Sequence, residues 1–179
     1  MPLGPELQYL AGYPDAVRDR VRGLLETGQL ETTLVQRYPG APEVTNDRTL
    51  YEYVLGLKNT FLRRAPPLAK IMFDDKISAK QGFLGLHTYV SRVQGSRNKA
   101  KNELRIASLF KGTPPEFLRM VVVHELAHLK EREHNKAFYQ LCCHMEPDYH
   151  QFEFDLRLYL TVQDARDAAV PDFTLERGS

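Results

Sequence analysis

The chain has 179 residues, 42% hydrophobic and 26% charged, a composition that fits one soluble globular domain and excludes a disordered or fibrous chain. Its 24 Lys and Arg against 23 Asp and Glu leave a net charge of +1. No global field therefore draws nucleic acid, membrane or acidic substrates, and any polyanion contact must come from a local patch.

No run approaches the roughly 20 apolar residues that span a bilayer, and Met1-Pro2-Leu3-Gly4-Pro5-Glu6 lacks the basic and apolar regions of a signal peptide. A cytoplasmic protein with no membrane partner is expected. From the N-terminus, Val17, Val21, Leu24 and Leu25 recur at helical spacing after Asp15, and Gly28 stops the first predicted helix. Tyr38-Pro39-Gly40-Ala41-Pro42 reads as a loop. Asn46 or Asp47 then caps a second helix with Leu50, Tyr53, Val54, Leu57 and Phe61 on one face, ended by Pro66-Pro67.

Ile71-Met72-Phe73 and Leu84 to Val90 are short and rich in β-branched and aromatic residues, and are predicted strands. The polar, basic stretch Gln94 to Asn102 then leads to Glu103 to Leu109, where Leu104 and Ile106 alternate with polar neighbours. This predicts a β-hairpin with an exposed loop. Next, Thr113-Pro114-Pro115-Glu116 reads as a helix start, with Thr113 as cap, Pro114 at the first position and Glu116 completing a capping box. Phe117, Val121, Val122, Leu126 and Leu129 mark the buried stripe of this helix. A further helix starts at His134-Asn135 and carries Ala137, Phe138 and Leu141. Within it, the adjacent Cys142 and Cys143 have Cα atoms about 3.8 Å apart, too close for an unstrained disulfide, and are expected as reduced packing residues. The alternation of Phe152 to Leu160 predicts a strand by period. The tail after Gln163 is expected to fray.

The chemistry lies in His124-Glu125-Leu126-Ala127-His128. Histidines four apart on a helix project from one face roughly 6 Å apart, so two imidazoles can share one metal ion. Zinc suits such ligands, and a catalytic site keeps a position open beside three protein ligands. Glu125 is then the general base toward a metal-activated water. The expected third ligand is His134. A straight helix would carry it about 15 Å along the axis, so the helix must break, and a turn near Arg132 within the charged run Lys130 to Glu133 would return it.

His87, His144 and His150 read as ordinary satisfied or exposed histidines. Tyr149 and His150 could each donate to a tetrahedral oxyanion, although packing or exposure is the simpler role. Arg92, Arg97, Lys99, Lys101, Arg105 and Lys111 form a basic run across the hairpin. With no aromatics interleaved for base stacking, it reads as a solvated surface.

Three segments, Val121 to Leu129, His134 to Tyr139 and Pro147-Asp148-Tyr149, together resemble the YgjP-like (WLM-type) metal-dependent hydrolases, over roughly Lys70 to Tyr149. The resemblance implies zinc on His124, His128 and His134, with Glu125 as catalytic acid/base. It implies an α+β fold: N-terminal helices and a minimal zincin-like domain whose small antiparallel sheet packs on the HExxH helix, with an edge strand able to align a peptide. It also makes a helix after Tyr149 an alternative to the strand. The family's Trp-Gly-Ser segment reads Gln94-Gly95-Ser96 here, so any substrate-side role of that tryptophan is absent or reassigned. Compared with metzincins, Glu131 stands where their pattern has a turn glycine, so the turn must avoid positive φ or accept strain.

The expected organisation is an N-terminal helical region over 1–66, a zincin-like metallopeptidase core over 67–165 and a flexible tail over 166–179, together one globular unit. The expected function is zinc-dependent peptide hydrolysis on a protein or peptide substrate. Two alternatives are an SprT-like protease acting on nucleic-acid-bound proteins, for which nucleic acid would be a partner through the basic hairpin, and a non-catalytic, metal-stabilised interaction domain.

Overall fold

The computed structural model describes residues 5–79, 85–94 and 97–169. Its fold is α+β: among these residues, six α-helices accompany one three-stranded sheet. The chain forms two compact units. One comprises residues 40–153, the other residues 1–39 together with 154–179.

In the unit formed by residues 40–153, helix α3 (Asp47–Phe61) begins with a capping box in which Asn46 and Thr49 satisfy each other's backbone N–H groups. The Asp47 carboxylate accepts from the backbone N–H of Phe73, 2.9 Å away, tying the helix start to strand β1 (Leu68–Asp74). β1 has a register shift between Leu68 and Lys70. That shift lets Leu68, Ile71 and Phe73 all be buried despite their uneven spacing.

Strands β2 (Gly85–Gln94) and β3 (Arg97–Ala107) pair antiparallel from Gly85 with Ile106 to Gln94 with Arg97. The hairpin is longer than expected. Only residues 95–96 connect the strands, so the polar stretch predicted as an exposed loop is largely strand. The sheet order is β1-β3-β2, with β1 and β3 parallel. This corrects the expectation of a purely antiparallel sheet. β1 and β2, consecutive in sequence, do not pair, because β3 lies between them. As the central strand, β3 buries residues on both faces, including Asn102, Glu103, Leu104 and Ile106.

A 3-10 turn, Ser108–Gly112, leads to helix α4 (Pro115–Ala127). The predicted capping box is not formed. Pro114 holds the N-cap position with no side-chain cap, and the Thr113 hydroxyl turns instead to the carbonyls of Phe110 and Pro114. The proline pair presets the backbone at this start. The predicted stripe is buried throughout: Phe117, Val121, Val122, Leu126 and Leu129. Helix α5 (Lys136–Met145) is capped by Asn135, whose side chain accepts from the Phe138 N–H at 2.9 Å. Cys142 and Cys143 are free thiols on this helix.

Helix α6 (Tyr149–Ala169) replaces the strand predicted from alternation over Phe152 to Leu160. Residues two apart on a helix lie about 200° apart around its axis. Apolar residues at every second position therefore cover opposite sides, and Asp155, Leu156, Leu158, Leu160, Thr161 and Val162 are all buried. A helix enclosed on several sides mimics a half-buried strand. No described helix is long and apolar enough to cross a membrane.

The other unit contains a 3-10 segment (Pro5–Leu10), α1 (Asp15–Glu26), α2 (Gln29–Arg37) and most of α6. Gly28, with φ of 70°, separates α1 from α2 in a backbone conformation that L-residues avoid. The stop at Gly28 was legible; α2 was not foreseen. Inside this unit the fully buried Asp155 accepts from Tyr38 Oη at 2.5 Å and from the Arg37 guanidinium at 2.7 Å.

Candidate metal centre

The last turn of α4 carries His124, the buried Glu125 and, at the C-cap, His128. Backbone N–H groups of Leu129, Lys130 and Glu131 close back onto Leu126 and Ala127, which ends the helix, and the Asn135 N–H bonds the Glu133 carbonyl at 2.8 Å. This tight reversal brings His134 back beside the α4 histidines, as the ten-residue spacing required. No described non-glycine residue has positive φ, so the turn through Glu131 is made without left-handed strain.

His124, His128 and His134 converge, with one ligand-capable atom from each lying within 4.8 Å of the others. Nε2 of His124 and Nε2 of His134 are 3.0 Å apart. Phe138, fully buried on α5, lies against all three, its ring centroid 4.9 Å from His124, 4.7 Å from His128 and 4.8 Å from His134.

The outward-facing nitrogens have partners. Nδ1 of His128 lies 3.0 Å from the Glu131 carbonyl, which only accepts, so this nitrogen donates and the neutral ring keeps its lone pair on Nε2. Nδ1 of His124 lies 2.7 Å from the hydroxyl of Tyr149, a fully buried residue. Burial, reinforced by the neighbouring His128 and His134, pushes the His124 imidazole down to about 3, and burial also lowers His128. The two α4 imidazoles thus resist protonation. At 3.0 Å the facing Nε2 atoms of His124 and His134 either share one hydrogen or hold a cation between them. Tetrahedral ligation at about 2.0–2.1 Å separates ligand nitrogens by about 3.3 Å, so the donor set fits one small divalent ion.

Tyr149 is positioned by a brace. The Arg119 guanidinium on α4 pairs with the Glu146 carboxylate and donates to the Met145 carbonyl at 3.0 Å. Glu146 in turn accepts from the Asp148 N–H at 3.1 Å, and its carbonyl accepts from the Tyr149 N–H at 3.0 Å. The tyrosine is stacked on His124, 6.3 Å between centroids and 18° between planes.

The three histidines expected from the sequence come together and Glu125 is buried beside His124 in the chain, whereas the sequence reading missed Phe138 as the floor and Tyr149 as a partner of His124. Helical periodicity marks Phe138 only as core, and Tyr149 lies 25 residues from His124, beyond any local spacing rule. Of the other histidines, His144 packs edge-on to Phe61, and His150 is exposed, 3.9 Å from Glu153. In the basic run, Arg105 pairs with Asp74 and Glu103, and Lys111 lies 5.2 Å over the Phe73 ring. The side chains of His87, Arg92, Arg97, Lys99 and Lys101 lie outside the described residues, as do Gly95-Ser96 of the expected Trp-Gly-Ser position.

A three-histidine cluster on a broken HExxH helix defines a metal-dependent hydrolase, and the comparisons agree. The profile of a family described as YgjP-like, metallopeptidase domain, matches residues 88–159. A curated relative, the UTP pyrophosphatase of Escherichia coli (strain K12), is 58% identical over 155 residues, covering 87% of this chain and 93% of its own length. The chain belongs to the YgjP-like family. No solved structure matches it.

Proposed function

We propose that the chain holds one zinc ion through His124, His128 and His134, uses Glu125 as general base, and hydrolyses a phosphoanhydride bond of UTP or a closely related nucleoside triphosphate. The convergence of three imidazoles within 4.8 Å carries the metal chemistry. The 58% identity to a UTP pyrophosphatase, over nearly that protein's full length, supports the substrate. Neutral imidazoles suit zinc, whereas magnesium takes oxygen ligands.

A bound ion supplies Lewis acidity, drawing charge from the electrophile and making water nucleophilic near neutral pH. Glu125 follows His124 on the same helical turn, where its carboxylate can take the proton released as water attacks and return it to the leaving group. Burial of Glu125 keeps this proton transfer away from bulk solvent. The Nδ1 partners of His124 and His128 hold the rings so that Nε2 faces inward.

Peptide hydrolysis is the second reading, favoured by the HExxH arrangement and the metallopeptidase description of the matching profile. Both readings share the same water activation and differ in the electrophile. The deciding experiment is metal analysis of the purified chain, followed by parallel assays of pyrophosphate release from UTP and cleavage of a peptide library. Each assay compares wild type with Glu125→Gln. Zinc near one equivalent and Glu125-dependent turnover of UTP are expected. Turnover confined to peptides replaces the substrate assignment, and absence of bound metal removes the proposal. Salt-sensitive DNA binding with cleavage of bound proteins would point instead to the SprT-like alternative.

A further inference from the structure

Tyr149 is buried beside a proposed metal ligand yet stands outside the metal-facing set. Among the described residues its hydroxyl has two hydrogen-bonding neighbours. One is Nδ1 of His124 at 2.7 Å, and the other is the Cys142 thiol on α5, with which it also hydrogen-bonds.

A tyrosine hydroxyl carries one hydrogen. The Cys142 thiol is fully buried, and its sulfur can accept that hydrogen. With the tyrosine hydrogen directed to Cys142 Sγ, the phenolic oxygen accepts, so the proton between Tyr149 and His124 belongs to the imidazole. Nε2 of His124 then carries the lone pair, and it is this atom that lies 3.0 Å from Nε2 of His134. The opposite polarity would put a hydrogen on His124 Nε2, where a metal ion must bind.

We propose that Tyr149 is a positioning residue that fixes His124 as its Nδ1–H tautomer and aims Nε2 at the shared centre, the ordered run being Cys142 Sγ, Tyr149 Oη, His124 Nδ1. The brace from Arg119 through Glu146 to the Asp148 N–H places Tyr149 from the α4 side, so ligand and partner are referenced to the same helix. His128 receives the equivalent service from the Glu131 carbonyl, 3.0 Å from its Nδ1. One ligand is thus oriented by backbone and one by a side chain, and only the second can be removed by substitution.

The proposal rests on the reading that the histidines bind metal, and its test separates the two. In the full-length, metal-free, nitrogen-15-labelled chain, His124 is expected to give a protonated-type Nδ1 and an unprotonated-type Nε2 signal. Tyr149→Phe keeps the ring and removes the hydroxyl. It should let His124 populate both tautomers and weaken zinc binding about 10- to 100-fold in chelator competition.

A wild-type His124 with its proton on Nε2, or a Tyr149→Phe variant with unchanged tautomer and zinc affinity, overturns the assignment. If the variant does not fold, the wild-type spectrum decides. Failure of the wild type to bind zinc defeats the metal reading alone, because the tautomer is read on metal-free protein.

Discussion

Replacing Phe138 with leucine tests whether the three histidines are held by the ring beneath them or only by their own backbone. The ring is fully buried and stands 4.7 to 4.9 Å from each imidazole, so one side chain supports all three. An aromatic pair is worth about 0.5–1.5 kcal/mol beyond area burial. Three contacts sharing one ring do not add. A near-volume-conserving swap to leucine should cost the metal-free protein about 1–2 kcal/mol, whereas alanine should cost about 3–5 kcal/mol by leaving a cavity. The diagnostic effect is separate. Metal bound only by the folded state stabilises by RT ln(1 + [L]/Kd), so a tenfold loss of affinity removes about 1.4 kcal/mol of that increment at fixed metal concentration. Denaturant unfolding of wild type and Phe138→Leu, each with and without zinc, measures both quantities. The expected result is a smaller zinc increment in the variant. Equal increments alongside a lower metal-free stability would show that the ring only fills space, refuting the reasoning.

Glu125→Gln should reduce turnover at least about 100-fold, as loss of a positioned general base does, while metal analysis shows zinc retained; an unchanged rate removes Glu125 from the chemistry. Asp155→Ala takes a buried acceptor from Tyr38 and Arg37. Because the Arg37 side chain is 49% exposed, most of the cost falls on the tyrosine hydroxyl, about 1–3 kcal/mol by chemical denaturation. The metal-free protein should also weaken in acid. His124 titrates near 3 when folded and at the usual 6.5 when unfolded, so between these values the unfolded chain binds the extra proton. Its stabilising contribution is present above pH 6.5 and is lost as pH falls toward 3. Lowering pH from 6.5 to 4.5 should cost about 2 kcal/mol through this residue, and His124→Gln should flatten that slope in pH-dependent unfolding. A slope unchanged by the substitution assigns the acid sensitivity elsewhere.

Local signals in the sequence led to the elements that local chemistry determines. Asn46 caps α3, Asn135 caps α5 and Gly28 separates two helices, each through a bond or backbone angle set by a few neighbouring residues. What failed depends on enclosure and pairing partners. The apolar alternation of Phe152 to Leu160 satisfies both a half-buried strand and a helix covered on several sides, and only the surroundings choose between them. The direction of β1 against β3 is likewise absent from the hydrophobic pattern, since parallel and antiparallel neighbours bury the same side chains.

The metal centre shows the same division at smaller scale. His124, His128 and Glu125 are legible because helical periodicity alone puts them on one turn. His134 required an argument about chain reach, and its outcome turned on Glu131. Side-chain identity made that position look unfavourable, since glycine is the residue that tolerates positive φ. The turn never enters that region, and what position 131 supplies is a carbonyl oxygen, 3.0 Å from Nδ1 of His128. Every residue type has that group. The requirement at this position is therefore on the path of the backbone, which the spacing between His128 and His134 encodes more directly than the letter between them.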